Sequence, residues 1–258
     1  CHICKSPKNS PVYHDDRLVV VQCSNCGLVY QSHSNILSRP DSFYQESKLT
    51  DVQVPANMDK YKDIIDYICS KYSGGELLDV GSGIGSFISI LSKKGINCTG
   101  LEPSKEQADY ANALGLKVIN EFLVEDLFPE KSFDVITLIQ VLEHLPDPTH
   151  SLKIASQYLR ENGTIVISVP SYNNPRFLLY RATRFKTLVN RDFIAPHLFY
   201  YTPDTLQKII EAAGLSLNNL QCGRYSVKFG NGFLLSQFDK LTTALKIGGI
   251  VAYAGKAG

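Results

Sequence analysis

The stretch E-L-L-D-V-G-S-G-I-G, Glu76 to Gly85, decides the fold. Leu77, Leu78 and Val80 make an apolar run of strand length that ends in glycines at alternate positions, Gly81, Gly83 and Gly85. An amphipathic segment, Ser86 to Lys94, follows at once. This is the order strand, glycine turn, helix. Without a Cβ the backbone turns sharply, and a ligand can lie directly against N–H groups at the start of the helix. The next apolar run, Asn97 to Leu101, ends in Glu102, Pro103 and Ser104. An acid at the end of a second strand, roughly 20 residues beyond the turn, is placed to bind the two hydroxyls of a ribose. The expectation is an α/β domain, a doubly wound sheet that holds a nucleoside-containing cofactor.

The glycine spacing narrows this. A dinucleotide fingerprint reads G-x-G-x-x-G, whereas here it is G-x-G-x-G preceded by Asp79. That pattern resembles the first motif of class I S-adenosylmethionine-dependent methyltransferases. The run S-F-D-V-I, Ser132 to Ile136, then V-L-E-H-L-P-D-P, Val141 to Pro148, resembles the fourth-strand segment of the same family. The resemblance spans about residues 60–215 and implies a seven-stranded Rossmann-like sheet with helices on both faces. It implies that Asp79, Gly81, Ser82, Gly83 and Gly85 line the methionine end of the cofactor. Glu102 and Pro103 then flank its ribose, Phe122 and Leu123 wall the adenine, and Gln140 faces the cleft. Many relatives carry a Gly-Asp-like pair after the third strand; here Asn120-Glu121-Phe122-Leu123 stands instead, leaving an apolar rather than a polar adenine contact.

The 258 residues carry a formal net charge of +1, so nothing draws the whole chain to nucleic acid or to a membrane, and such a partner would need a local patch. No apolar run approaches the roughly 20 residues of a membrane-spanning helix, and no signal peptide is legible. The setting expected is reducing and cytoplasmic.

Four of the seven cysteines form two C-x-x-C pairs, Cys1 with Cys4 and Cys23 with Cys26, at the spacing of a four-cysteine zinc site. Each pair points two thiolates at one metal, and two pairs complete a tetrahedron. Residues 1–30 therefore read as a zinc ribbon with strands at Arg17–Gln22 and Leu28–Tyr30. The segment is too short for a core of its own, so Zn2+ would drive its folding. A redox role for one pair is the rival, and nothing helical surrounds either to support it. Cys69, Cys98 and Cys222 lie among apolar residues and read as packing. The ribbon holds few cations, and a structural or substrate-docking cap fits it better than a nucleic-acid module. The order of ribbon then methyltransferase also resembles a bacterial group that acts on sugars and other small metabolites.

Residues 31–58 read as a linker and 59–258 as the methyltransferase domain. Helices are expected at 59–72, after Ser104 as N-cap, from Asp147-Pro148 to a point before Gly163, and after Thr202-Pro203. Strands are expected at 116–119, 134–138, 164–169, 215–222 and 250–254. Residues 171–200 interrupt the alternation with Arg176, Arg181, Arg184, Lys186 and Arg191 among aromatics. They read as a substrate lid meeting an anionic acceptor, as an ordinary solvated helix face, or as a loose contact with an anionic membrane surface.

Methyl transfer from a sulfonium needs alignment and, for some acceptors, a general base worth about 10²–10⁴ in rate. His197, in P-H-L-F-Y-Y-T-P, and His144, in L-E-H-L, are the candidates. In relatives the residue matching His197 lies near the acceptor pocket. The bland reading has His197 tying the lid to the body and His144 fixing a loop. Three functions follow in order of fit: a methyltransferase for a sugar, nucleotide-sugar or glycan precursor; an RNA methyltransferase docked through the ribbon; and a non-catalytic, zinc-held interaction protein.

Overall fold

The computed structural model describes residues 1–14, 18–32, 61–173, 177, 197–222 and 249–257. Most of the expected linker, the cationic part of the lid and residues 223–248 lie outside the described residues. The N-terminal strands are β1 (Asn9–His14), β2 (Val19–Cys23) and β3 (Val29–Gln31). Then come α1 (Lys62–Lys71), β4 (Glu76–Val80), α2 (Ser86–Ser92), β5 (Asn97–Leu101), α3 (Lys105–Ala113) and β6 (Val118–Ile119). The chain continues through β7 (Phe133–Ile139), α4 (Pro148–Tyr158) and β8 (Leu159–Pro170). It closes with β9 (Phe199–Tyr200), α5 (Pro203–Ala212), β10 (Leu215–Cys222) and β11 (Gly249–Lys256).

A seven-stranded sheet has the order β10-β11-β8-β7-β4-β5-β6. β4 pairs in parallel with β5 and with β7, β5 with β6, and β7 with β8, whereas β11 runs antiparallel to both its neighbours. The chain starts in the middle at β4, builds outward through β5 and β6, then returns to the other side of β4 as β7. The strand order reverses there, and in open α/β sheets ligands bind outside the carboxyl ends at that point.

Both faces of the sheet are covered, as parallel strands require. Leu77 and Val135 pack in one buried cluster with Ile64 and Ile68 of α1, Phe87 and Ile88 of α2 and Ala108 of α3. Their strand neighbours Leu78 and Ile136 turn the other way, into a cluster with Leu152 of α4 and Leu206 and Ile209 of α5. The expected caps form: Ser104 Oγ accepts the Gln107 N–H, Asp147 accepts the His150 N–H at 3.0 Å, and Thr202 accepts the Thr205 N–H at 3.2 Å.

Three local features differ from expectation. The helix from Pro148 stops at Tyr158, and β8 begins directly at Leu159, which pairs with Phe133. Gly163 lies inside that strand, where an added Cβ would be 2.7 Å from Leu159 Cδ1 and 2.9 Å from the Asp134 carbonyl. It marks a close strand approach rather than the end of a helix. β6 is two residues long, shorter than expected. The N-terminal segment is also not a separate unit. β1, β2 and β3 continue into β9 as one four-stranded sheet, and Val21, Cys23, Leu28 and Tyr30 belong to the same buried cluster as Leu78 and Leu206.

Candidate functional site

The glycine loop leaves β4 at the reversal point. Gly81 and Gly85 have φ of +69° and +79°, a region that side chains with a Cβ avoid. A Cβ on Gly81 would be 2.5 Å from Val141 Cγ2, and one on Gly85 would be 2.4 Å from Leu116 Cδ1. The first closeness brings the loop against the turn after β7; the second seats α2 against the segment before β6. Gly83 faces Gln107 Oε1 at 3.3 Å from its own would-be Cβ.

Glu102, at the end of β5, is 7% exposed and turned into this loop. Its Oε2 accepts the Gly83 N–H at 2.9 Å and its Oε1 accepts the Ser104 N–H at 2.8 Å. Burial raises its carboxyl above the ordinary value, with the two amides acting against that. A carboxylate offers about four lone-pair sites, so two remain for a ligand's hydroxyls. Asp79 is buried at the end of β4, where the Thr137 hydroxyl donates to its Oδ1 at 2.6 Å. Burial pushes its carboxyl up to about 7, against the Thr137 hydrogen bond, and the neighbouring charge of Glu102 adds to the rise. Two sparsely solvated carboxylates thus lie at the ends of adjacent strands beside the glycine loop, and one of them, Glu102, is hydrogen-bonded to it.

The remaining expected cofactor residues are spread around the same end of the sheet. The Ser82 N–H donates to the Leu101 carbonyl at 2.9 Å, while its hydroxyl is buried without a hydrogen-bond partner among the described residues. That hydroxyl lies 2.4 Å from where a Cβ on Gly100 would be. Gly100 went unread in the sequence; its signal was a glycine inside a strand, T-G-L. Pro103, Phe122 and Leu123 are half-buried, and Asn120 Nδ2 donates to the Glu102 and Pro103 carbonyls, both at 2.9 Å. Gln140 has φ +58°, an unusual conformation for a residue with a Cβ. Its backbone N–H and its Nε2 donate to the Ser168 carbonyl at 2.8 and 3.1 Å. The side chain thereby bolts the end of β7 to β8.

The turn after β7 brings the two histidines together. The Glu143 carbonyl accepts the N–H groups of Leu198 and Phe199 at 2.7 and 3.2 Å. This places the His144 and His197 rings 4.8 Å apart between centroids, both half-buried. From the sequence, Glu143 reads only as one of the residues Gln140 to Glu143 that face the cleft. Its carboxyl is 1% exposed, pushed up to about 8 by burial, and neither oxygen has a hydrogen-bond partner among the described residues. Among the described residues, the cation-capable group paired with it is His144, with Nε2 3.9 Å from Oε1.

The sulfurs of Cys1, Cys4, Cys23 and Cys26 all lie within 4.8 Å of one another. Cys1 and Cys26 are 3.4 Å apart, and Cys4 and Cys23 3.5 Å. Four thiolates bonded to zinc at about 2.3 Å would be separated by about 3.8 Å, so the donor set and its closeness suit that ion. Burial pushes Cys26 up to about 11, whereas hydrogen bonding, led by the Asn25 side chain, brings Cys4 down to about 6. The cluster is joined to the histidines through β3 and β9: the Gln31 side chain donates to the His197 carbonyl at 2.9 Å, and its backbone N–H to the Leu198 carbonyl at 2.8 Å.

Several known proteins are similar to this chain. A family model described as a methyltransferase domain matches residues 52–220. The ubiquinone biosynthesis O-methyltransferase of Aeromonas salmonicida is 27% identical over 186 residues, which is 67% of this chain and 77% of that protein. The protein of the same name from Actinobacillus pleuropneumoniae is 31% identical over 118 residues, spanning 40% of this chain and 50% of its own length. Among solved structures, the Burkholderia thailandensis 1,6-didemethyltoxoflavin-N1-methyltransferase, crystallised with S-adenosylhomocysteine, superposes with a TM-score of 0.59 at 16% identity. It covers 96% of this chain and all (100%) of that one.

Proposed function

Because the chain belongs to the methyltransferase-domain family, we propose that it transfers a methyl group from S-adenosylmethionine to a small-molecule acceptor. The observation that carries this is the pair of buried carboxylates at the ends of adjacent strands, Asp79 held by Thr137 and Glu102 hydrogen-bonded to the glycine loop. A cofactor with an ammonium, a sulfonium and a ribose supplies the positive charge and the hydroxyls that such a cradle lacks. When bound, it offers a methyl group on sulfur that an acceptor's lone pair takes as a neutral thioether departs.

Asp79 holds the amino end, the Gly81–Gly85 loop lies against the methionine end, and Glu102 accepts from the ribose. Phe122 and Leu123 wall the base, with Pro103 beside the ribose. Ser82 and Gln140 act from behind, keeping the loop against β5 and the turn against β8. The acceptor lies over the turn at 140–144, and the cluster of Glu143, His144 and His197 receives its proton. Holding the acceptor in line is worth about 7–11 kcal/mol at best. Zn2+ on Cys1, Cys4, Cys23 and Cys26 neutralises the thiolates and fixes the sheet that carries β9.

The acceptor we favour is a sugar or sugar-linked precursor, which the four-cysteine head supports. A phenolic acceptor is the second reading, favoured by the relatives named for ubiquinone biosynthesis. Isothermal titration of zinc-loaded protein with S-adenosylmethionine tests the first step, with micromolar binding expected and no binding overturning it. A panel of nucleotide sugars and catechols, read by release of S-adenosylhomocysteine, then separates the acceptors.

A further inference from the structure

We propose that Gly100 is a positioning residue for the cofactor: the absence of a side chain there lets Ser82 sink beneath the glycine loop and so fixes how closely the loop lies on β5. The seat itself does not depend on the methyltransferase reading; that it serves S-adenosylmethionine rests on that reading.

The starting observation is steric. A Cβ on Gly100 would lie 2.4 Å from Ser82 Oγ and 2.8 Å from Ser82 Cβ, with Val118 Cγ2 of β6 at 3.1 Å. The hydroxyl could turn away from such a Cβ. Ser82 Cβ could not, because it is fixed to the loop backbone, so the loop itself would have to move. Gly100 is not in the left-handed region, unlike Gly81, Gly83 and Gly85. Its backbone would suit alanine, and what requires a glycine there is the close approach of Ser82.

Ser82 is 9% exposed, and its hydroxyl is buried with no hydrogen-bond partner among the described residues. Such a group is disfavoured in an interior, so its polarity does not draw it in. The loop's backbone bonds do. The Ser82 N–H reaches the Leu101 carbonyl at 2.9 Å, and the next amide, Gly83 N–H, reaches Glu102 Oε2 at 2.9 Å. Both bonds need the loop close to β5, and the acceptors are the two residues that follow Gly100. A side chain at position 100 would lengthen them together. Glu102 would then lose the loop amide that aims it, and the two halves of the cofactor cradle would part. Gly81 and Gly83, with φ of +69° and +55°, flank Ser82 and give the backbone freedom to shift.

The test is a double-mutant cycle on the full, zinc-loaded chain: wild type, Gly100→Ala, Ser82→Gly and the two combined. Calorimetric titration with S-adenosylmethionine, well below each melting temperature, reads the dissociation constant. Gly100→Ala alone should weaken binding about tenfold or more, and less than about twofold once Ser82→Gly has made room. A residue that serves stability alone would lower the melting temperature and leave the dissociation constant unchanged. Amide hydrogen exchange at residues 82 and 83, without cofactor, gives a second readout. It should quicken about tenfold in Gly100→Ala and return in the combined variant to the rate of Ser82→Gly. Equal effects of Gly100→Ala in both backgrounds, or none, overturn the seat. Should Gly100→Ala fail to fold, the combined variant must fold, and its failure overturns the seat as well. Coupled exchange in a chain whose wild type does not bind S-adenosylmethionine overturns the methyltransferase reading alone. Cofactor binding without coupling in either readout overturns the seat alone.

Discussion

Asp79 shows at the scale of one residue how a site can be costly until it is filled. Its carboxyl is pushed up to about 7 by burial, so between about pH 4 and pH 7 the folded protein holds a proton that the unfolded chain has released. The native state is therefore penalised progressively as pH rises through that window, and fully above it. Asp79→Asn, which can still accept from Thr137, should raise thermal stability at pH 8 by up to about 4 kcal/mol and leave it unchanged below pH 4. Denaturant melts at the two pH values check this. On the proposed function the cofactor's ammonium requires the charged form. Its affinity for the wild type should thus fall by up to about tenfold per pH unit below 7, while the Asn variant binds weakly at every pH. Calorimetric titration across pH 5.5–8 reads both; a flat profile for the wild type would remove Asp79 from the amino end of the cofactor.

The elements that were legible in the sequence are those whose local chemistry is sufficient. The glycine turn after Val80, the caps at Ser104, Asp147 and Thr202, and the buried runs of β4, β5 and β7 each carry their signal within a few residues. β1 and β9 could not be read this way. β1 starts with three exposed residues, Pro11 among them, and among the described residues it pairs only with β2, at the edge of its sheet. β9 is two residues long and is a strand because β3 lies beside it, more than 160 residues earlier in the chain. The same pairing gives Gln31 a task invisible in its own neighbourhood. It is 3% exposed and holds both the His197 carbonyl and, through its backbone, the Leu198 carbonyl. Gln31→Ala should cost about 1–2 kcal/mol of stability. It should lower kcat several-fold while leaving the dissociation constant of S-adenosylmethionine unchanged, because the glycine loop is untouched. Equal loss in both quantities would mean that Gln31 serves only general packing.

Over the whole molecule, the question is whether the cysteine-bearing segment is a passenger or part of the body. The sequence reading made it a small module beyond a linker, since residues 1–30 hold too few apolar side chains to bury a core. The structure resolves this by lending it a core: Val21, Leu28 and Tyr30 pack in one cluster with Phe199, Leu206 and Ile209, and His2 lies edge-on to the Phe199 ring at 4.9 Å between centroids. A segment that shares its buried surface cannot melt alone without exposing that of its host. Removing zinc with a chelator should therefore lower the temperature of one cooperative transition, not split it into an early ribbon step and a later domain step. Differential scanning calorimetry with and without zinc decides between these. If two separate transitions appear, the shared core is not energetically coupled, and the link from the cysteines through β3 and β9 to the histidines fails with it.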